Sequence, residues 1–185
     1  MKIRPFSVFA YLNELYSLPG IVGFKLMYAQ LGQYPEILAY LIRYRIRVVH
    51  LVRKNHLDVL ISYAVKAQIG RAHLLSGQST PDDVRVYLDT KYLVKKLAWL
   101  NKKQNMARRL LTWLNLPHIE ITYEDLLREP AHFGQILNFL SINPQNQKKQ
   151  ASTVKIRKGG HRDVIRNYDE VKEVLTGSHF AALLE

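Results

Sequence analysis

The sequence predicts a layered α/β domain in which a small parallel sheet is flanked by helices. Two short apolar segments, residues 47–53 and 118–123, have the composition and pattern of strands, and amphipathic helical patterns lie between them. Residues 21–27 form a third brief segment rich in strand-forming residues. Strands that alternate with helices pair in parallel through crossover connections, so we expect three parallel strands.

Helix signals surround these strands in the first half of the chain. Residues 7–17 carry apolar side chains at helical spacing and stop at a Leu-Pro-Gly turn signal. Pro35 opens a second helix that extends to about Tyr44, since proline is favoured in a first helical turn. Asn55 is the predicted N-cap of a third helix. Its apolar stripe consists of Leu57, Leu60, Ile61, Ala64 and Val65.

The second half of the chain is more basic. Residues 80–83 predict the cap of a long helix that continues to about Leu114 with a break near Asn101. Further helices are predicted over residues 133–140 and 169–175, separated by a polar, basic surface loop over residues 143–162. No linker divides the sequence, and we expect one domain over residues 1–185.

Composition narrows the function classes. The chain has 185 residues, 48% of them hydrophobic, and a formal charge of +12, which implies an anionic partner such as a nucleotide, a sulfated glycan, acidic lipid or nucleic acid. Cysteine is absent, and the seven histidines show no metal-ligand spacing, so no metal is predicted. No apolar run approaches the roughly 20 residues of a membrane-spanning helix, and we expect a soluble, cytoplasmic protein.

Arg53 is the first candidate for a binding residue. The strand over residues 47–53 delivers this side chain to its carboxyl end, where ligands of open α/β sheets collect. A guanidinium can hold two phosphate oxygens at once, while neighbouring hydroxyls such as that of Ser62 and backbone amides complete the cradle. A solvated charge at the end of a strand is the alternative.

Several segments together resemble the sulfotransferase family, particularly its bacterial lipopolysaccharide and Nod-factor type branch. The resemblance is carried by the order and spacing of residues 22–27, 49–62, 69–73, 121–127 with Phe139 and Leu140, 163–170 and 175–184. It extends over nearly the whole chain from about Gly20.

The resemblance implies a three-layer P-loop-like fold that uses 3′-phosphoadenosine 5′-phosphosulfate (PAPS) as co-substrate and no metal. It implies that Arg53 and Ser62 hold the 3′-phosphate, with Lys54 able to share the role. Arg157, Lys158 and Gly159 resemble the family's basic-glycine loop, which lies over the nucleotide. The implied activity is transfer of a sulfuryl group to a hydroxyl on a glycan, a lipid or a small molecule.

The front end of the family pattern is missing from the sequence. The first strand and the Gly, Ser and Thr-rich loop that holds the 5′-phosphosulfate precede everything matched here, so we expect a truncated form. Residues 76–80 have the composition of that loop but not its position. The general base is unknown, with His56 and His73 as weak candidates. A non-catalytic nucleotide-binding or partner protein of the same fold is therefore the alternative function.

The basic region from Lys91 to Arg109 supports a further alternative, a nucleic-acid-binding protein. An amphipathic helix with a solvated basic face explains the same residues. The sequence shows no recognition helix and no interleaving of basic and aromatic residues there, which disfavours nucleic acid as a partner.

Overall fold

The protein has a mixed α/β fold, mostly helical, with a small parallel sheet flanked by helices. The computed structural model describes residues 5–70, 74–75, 84–143, 153–154 and 159–184. Strands β1 (Val48–Val52) and β3 (His118–Thr122) pair in parallel, from Val48 opposite His118 to Val52 opposite Thr122. The short strands β2 (Leu74–Leu75) and β4 (Thr153–Val154) form a separate antiparallel pair.

Helices occupy most of the described chain. In order they are α1 (Pro5–Ser17), α2 (Tyr28–Gln33), α3 (Glu36–Arg43), α4 (His56–Ile69), α5 (Leu93–Trp113), α6 (Tyr123–Arg128), α7 (Pro130–Leu140), α8 (His161–Val164) and α9 (Tyr168–Thr176), with 3-10 turns at Thr90–Tyr92 and Ala181–Leu184. The predicted helices over residues 7–17, 133–140 and 169–175 are confirmed.

Local sequence explains both ends of α4. The side chain of Asn55 accepts hydrogen bonds from the amides of Leu57 and Asp58, which otherwise have no partner in a first helical turn. Gly70 ends the helix in the left-handed region with φ 71°, where a side chain would be strained. The predicted cap and apolar stripe are confirmed.

The strand predicted over residues 21–27 is wrong. Its side chains do alternate, with Val22, Phe24 and Leu26 half-buried and their neighbours exposed. Phe24 and Leu26 pack against a helical cluster, but no strand within the described ranges pairs with this segment. The described parallel sheet therefore has two strands, because an alternating pattern specifies an extended backbone and not a hydrogen-bonding partner.

The long basic helix also differs from its prediction. The predicted cap at residues 80–83 lies outside the described residues. Residues 84–89 are not helical, and α5 begins at Leu93. No break occurs at Asn101, whose side-chain oxygen accepts a hydrogen bond from Asn105 Nδ2 at 3.3 Å. This hydrogen bond joins two side chains one turn apart on the same face of the helix. It gives the side-chain oxygen of Asn101 a partner without interrupting the backbone hydrogen bonds of the helix.

Two groups of buried side chains hold these elements. The larger joins one face of α4 to the beginning of α5, to the bridge between Val86 and Ile165, and to α9. The second joins α1, α3 and the C-terminal end of α5. Because α5 contributes to both, it connects the two halves of the core.

Truncation of Leu97 tests this packing. Leu97 is fully buried in the larger group, so Leu97→Ala should lower the free energy of unfolding by about 2–5 kcal/mol in a denaturant titration. Leu127→Ala is the matched control, since Leu127 is also helical but 64% exposed, and should change it by less than about 0.5 kcal/mol. Equal effects of the two substitutions would contradict the assignment of α5 to the core.

Candidate functional site

Arg53 lies at the carboxyl end of β1, stacked on an aromatic ring. Its guanidinium carbon is 3.9 Å from the centroid of Tyr123, the first residue after β3. Among the described residues no hydrogen bond or ion pair to Arg53 is present. A stacked guanidinium uses its face for the ring and keeps the N–H groups of its edge for a further ligand. The half-buried Arg53 is therefore oriented and still able to bind an anion.

Lys54 is engaged differently. Its ammonium group binds both carboxylate oxygens of Asp125, at 3.0 and 3.2 Å. The lysine charge at the strand end is thus already balanced by a carboxylate, whereas no described carboxylate pairs with Arg53. For Lys54 to hold a phosphate, it would first have to leave Asp125.

The backbone amides after β1 are occupied by the protein itself. The amides of Lys54 and Asn55 donate to the two carboxylate oxygens of Glu124, at 3.1 and 3.4 Å. Asn55 also caps the first turn of α4 and donates from Nδ2 to the carbonyl of Leu183. The expectation that backbone amides complete a phosphate cradle here is not met, because Glu124 and Asn55 take those amides.

Ser62 lies on the exposed face of α4, next to the buried Ile61. Seven residues separate it from Asn55, which corresponds to roughly 10 Å along the helix axis. Arg53 and Ser62 therefore do not form a single compact pair in this structure. A ligand that contacts both has to extend along the first two turns of the helix.

A cavity of about 340 Å³ opens at the beginning of α4. It is lined by Asn55, Asp58, Gly159, Gly160, His161, Arg162, Tyr168 and Leu184. Neither Arg53 nor Ser62 lines it. The cavity nevertheless brings the predicted Gly159 segment to the helix that follows Arg53, while Arg157 and Lys158 lie outside the described residues.

Glycine is required at position 159. Its φ is 91°, and a Cβ there would lie 2.8 Å from Asp163 Oδ2. The same carboxylate oxygen accepts a hydrogen bond from the amide of Gly160 at 2.9 Å. His161 then fixes the segment to α4, since its Nε2 lies 3.0 Å from Asp58 Oδ1.

Of the two candidate bases, the structure describes only His56. His56 is buried, and its Nε2 lies 3.1 Å from Gln104 Oε1, so it connects α4 to α5. His73 lies outside the described residues, as do residues 76–80. His56 is therefore buried against α5 and is not exposed to solvent beside Arg53.

A polar network around the buried His50, which the sequence analysis missed, lies in the middle of the sheet. His50 Nδ1 is 3.0 Å from Glu120 Oε2 on the paired strand, and His50 Nε2 is 2.8 Å from the hydroxyl of Tyr28. Arg108 on α5 donates two hydrogen bonds to Glu120, at 2.7 and 2.8 Å. A histidine within an apolar strand was the available signal, because a buried imidazole needs polar partners.

The charges of the network follow from its geometry. Arg108 is the main cause that holds the pKa of Glu120 below its usual value, so this carboxylate is ionised. Burial, assisted by that carboxylate, raises the pKa of Tyr28, whose hydroxyl therefore stays protonated. We assign a neutral His50 that donates from Nδ1 to Glu120 and accepts at Nε2 from Tyr28. Burial also lowers the pKa of His50, in agreement with this tautomer.

Comparison with family models, with curated proteins and with solved structures finds no match for this chain. Within the described ranges, no group of three or more acidic or histidine side chains is arranged to hold a metal ion. Likewise, no helix described here combines the length and apolar content needed to cross a membrane.

Substitution of His50 should make the free energy of unfolding depend less on pH under mildly acidic conditions. The ordinary histidine pKa is 6.5 and that of folded His50 is lower, so below that pH the unfolded chain takes up the proton first. The stabilisation is present above about pH 6.5 and is lost as the pH falls toward the folded pKa. His50→Gln should therefore reduce the slope of the free energy of unfolding between about pH 6.5 and 5.

The control is His179→Gln, at an exposed histidine near the C-terminal 3-10 turn. This variant should keep the wild-type slope in the same denaturant titrations. Glu120 and Arg108 are present in both variants, so protonation of this carboxylate in the unfolded chain, where its ordinary pKa is 4.5, contributes to both slopes and largely cancels in the comparison. An unchanged slope in His50→Gln would contradict the neutral, buried imidazole.

Proposed function

We propose that the chain binds 3′-phosphoadenosine 5′-phosphosulfate at the carboxyl end of β1 and takes part in sulfuryl transfer to a hydroxyl acceptor. In this proposal the parallel β1–β3 pair and its helices are part of a P-loop-like fold. The observation that carries the proposal is the guanidinium of Arg53, held against Tyr123 at 3.9 Å with no anionic partner among the described residues. A doubly charged phosphate group is the ligand that such a guanidinium binds best.

The cavity at the beginning of α4 supports a nucleotide as the ligand. Its volume of about 340 Å³ lies within the size range of small-molecule sites. Arg53 directly precedes Lys54 and Asn55, and the latter lines the cavity. A nucleotide whose 3′-phosphate lies at Arg53, and which extends along the first turns of α4 toward Ser62, would have the Gly159–Gly160 segment beside it.

The proposed reaction is an in-line displacement at sulfur. The oxygen of the acceptor hydroxyl bonds to sulfur, the bond from sulfur to the bridging phosphate oxygen breaks, and adenosine 3′,5′-bisphosphate leaves. The hydroxyl proton passes to a base or to water. Positioning supplies most of the catalysis in related phosphoryl transfers, and Arg53 and Ser62 would provide it by anchoring the donor.

Calorimetry with adenosine 3′,5′-bisphosphate tests the binding step. We expect Arg53→Ala to weaken binding at least about tenfold, because a hydrogen bond to a charged group contributes about 1.5–3 kcal/mol. Lys54→Ala should reduce the affinity less than Arg53→Ala does, since the ammonium group of Lys54 is bound to Asp125. The comparison of these two variants separates their roles.

Arg43 offers a matched control on α3. Its guanidinium also lies over a tyrosine ring, 5.6 Å from the centroid of Tyr44, but at the exposed end of its helix. Arg43→Ala should leave the affinity for the bisphosphate unchanged. Absence of binding by the wild type, or equal binding by Arg53→Ala, would exclude the proposed site.

A non-catalytic nucleotide-binding protein is the second candidate. It is favoured by the position of His56, which is buried against Gln104 and unable to reach an acceptor hydroxyl. Incubation with PAPS carrying radiolabelled sulfate, in the presence of glycan, lipid and phenolic acceptors, distinguishes the two. Labelled acceptor that is absent with Arg53→Ala indicates the transferase, and bisphosphate binding without labelled acceptor favours the second candidate.

A further inference from the structure

The outward face of α5 carries an exposed apolar ridge. Trp99, Met106 and Trp113 are 55%, 55% and 80% exposed, and they follow one another at intervals of seven residues. Residues at this spacing lie almost on one line along a helix, here roughly 21 Å long. Large apolar side chains that are this exposed and aligned are unusual unless they meet a partner.

A line of basic residues runs beside the ridge. These residues also recur every seven positions and lie about 40° around the helix axis from the apolar line; they are Lys95, Lys102 and Arg109, all exposed. Lys103 lies on the opposite side, with its ammonium group 5.5 Å from the centroid of Trp99. Basic and aromatic side chains are thus interleaved on this surface, which corrects the sequence interpretation.

Carboxylates in the described part of the chain do not balance the charge of this face. α5 contains no Asp or Glu. None of the ion pairs within the described part of the chain involves Lys95, Lys102 or Arg109, although the neighbouring Lys96 pairs with Asp89 at 3.6 Å. An unbalanced basic line on a protein of net charge +12 attracts anionic partners.

We propose that the ridge of α5 is a docking surface for a membrane with anionic headgroups. Tryptophan is favoured at the boundary between headgroups and acyl chains, and flanking lysine and arginine keep their charges among lipid phosphates while their aliphatic stems follow the apolar ridge. The helix lies in the plane of the membrane surface and does not cross it. This proposal is independent of nucleotide binding at Arg53.

Two other kinds of partner, a second copy of the chain and a nucleic acid, fit the ridge less well. A second copy of the chain would bring two unbalanced basic lines together, which is repulsive. A nucleic acid would balance the charge and stack on the tryptophans, but Met106 in the middle of the ridge offers it neither a hydrogen bond nor an aromatic face. A lipid surface balances the charges and also removes all three apolar side chains from water.

Intrinsic fluorescence reports directly on this surface, because Trp99 and Trp113 are the two tryptophans of the chain. The protein is titrated with vesicles of equimolar phosphatidylcholine and phosphatidylglycerol, and with vesicles of phosphatidylcholine alone. We expect a shift of the emission to shorter wavelength and co-sedimentation with the anionic vesicles only. Added salt should weaken the binding, since it screens the basic line.

Two triple variants of equal net charge locate the interaction. K95Q/K102Q/R109Q removes the basic line, and K66Q/R128Q/K172Q removes three exposed cations from other helices. We expect the first to weaken partitioning on the order of 100-fold, about fivefold for each basic residue. The second should retain most of the binding, and W99S/W113S should lose it while keeping the wild-type circular dichroism.

Three results would overturn the proposal. The first is equal loss of vesicle binding in the two charge variants, which indicates attraction by net charge alone. The second is no vesicle binding together with a tryptophan response to a single-stranded or duplex oligonucleotide. The third is self-association in sedimentation velocity that W99S/W113S abolishes.

Discussion

The parallel pairing of β1 with β3 is the constraint on which the other contacts depend. Its register sets residues 70 positions apart in the sequence side by side, from Val48 and His118 to Val52 and Thr122. The same offset pairs His50 with Glu120 within the sheet and brings Arg53 over Tyr123 just beyond it. A shift of one residue would put His50 and Glu120 out of register and remove the ring from beneath the guanidinium.

The network around His50 explains how a polar group is accommodated inside this register. Glu120 accepts from His50 and from Arg108, so its charge is compensated by α5, while Tyr28 brings α2 to the other ring nitrogen. Each buried polar atom of the imidazole has a partner, and the cost of burying it is offset. The network thereby joins two strands and two helices through directed bonds, where apolar packing alone would allow sliding.

The sequence predicted elements whose determinants are local, and missed those determined by distant residues. Asn55 and the apolar stripe that follows it predict α4 from residues within the helix itself. The apolar segment before Arg53 predicts β1 in the same way. The segment over residues 21–27 has the alternation of a strand but no partner in the described sheet, which no local pattern could reveal. The contact of Arg53 with Tyr123 likewise depends on a register between segments 70 residues apart.

Among the described residues, the strand end combines one available cation, Arg53, with several occupied groups, and this combination limits which anions it could recognise. Glu124 and Asp125 already hold the amide and the ammonium group of Lys54, so an incoming phosphate meets two carboxylates that repel it. In the proposed complex, Arg53 would offset that repulsion best for a ligand placed at the edge of its guanidinium, away from those carboxylates. The stacking on Tyr123 fixes the orientation of the guanidinium edge. The site would therefore discriminate between ligands by the position of their negative charge as well as by its size. A small free anion gains little from such a site, whereas a ligand that also fills the neighbouring cavity gains both contacts at once.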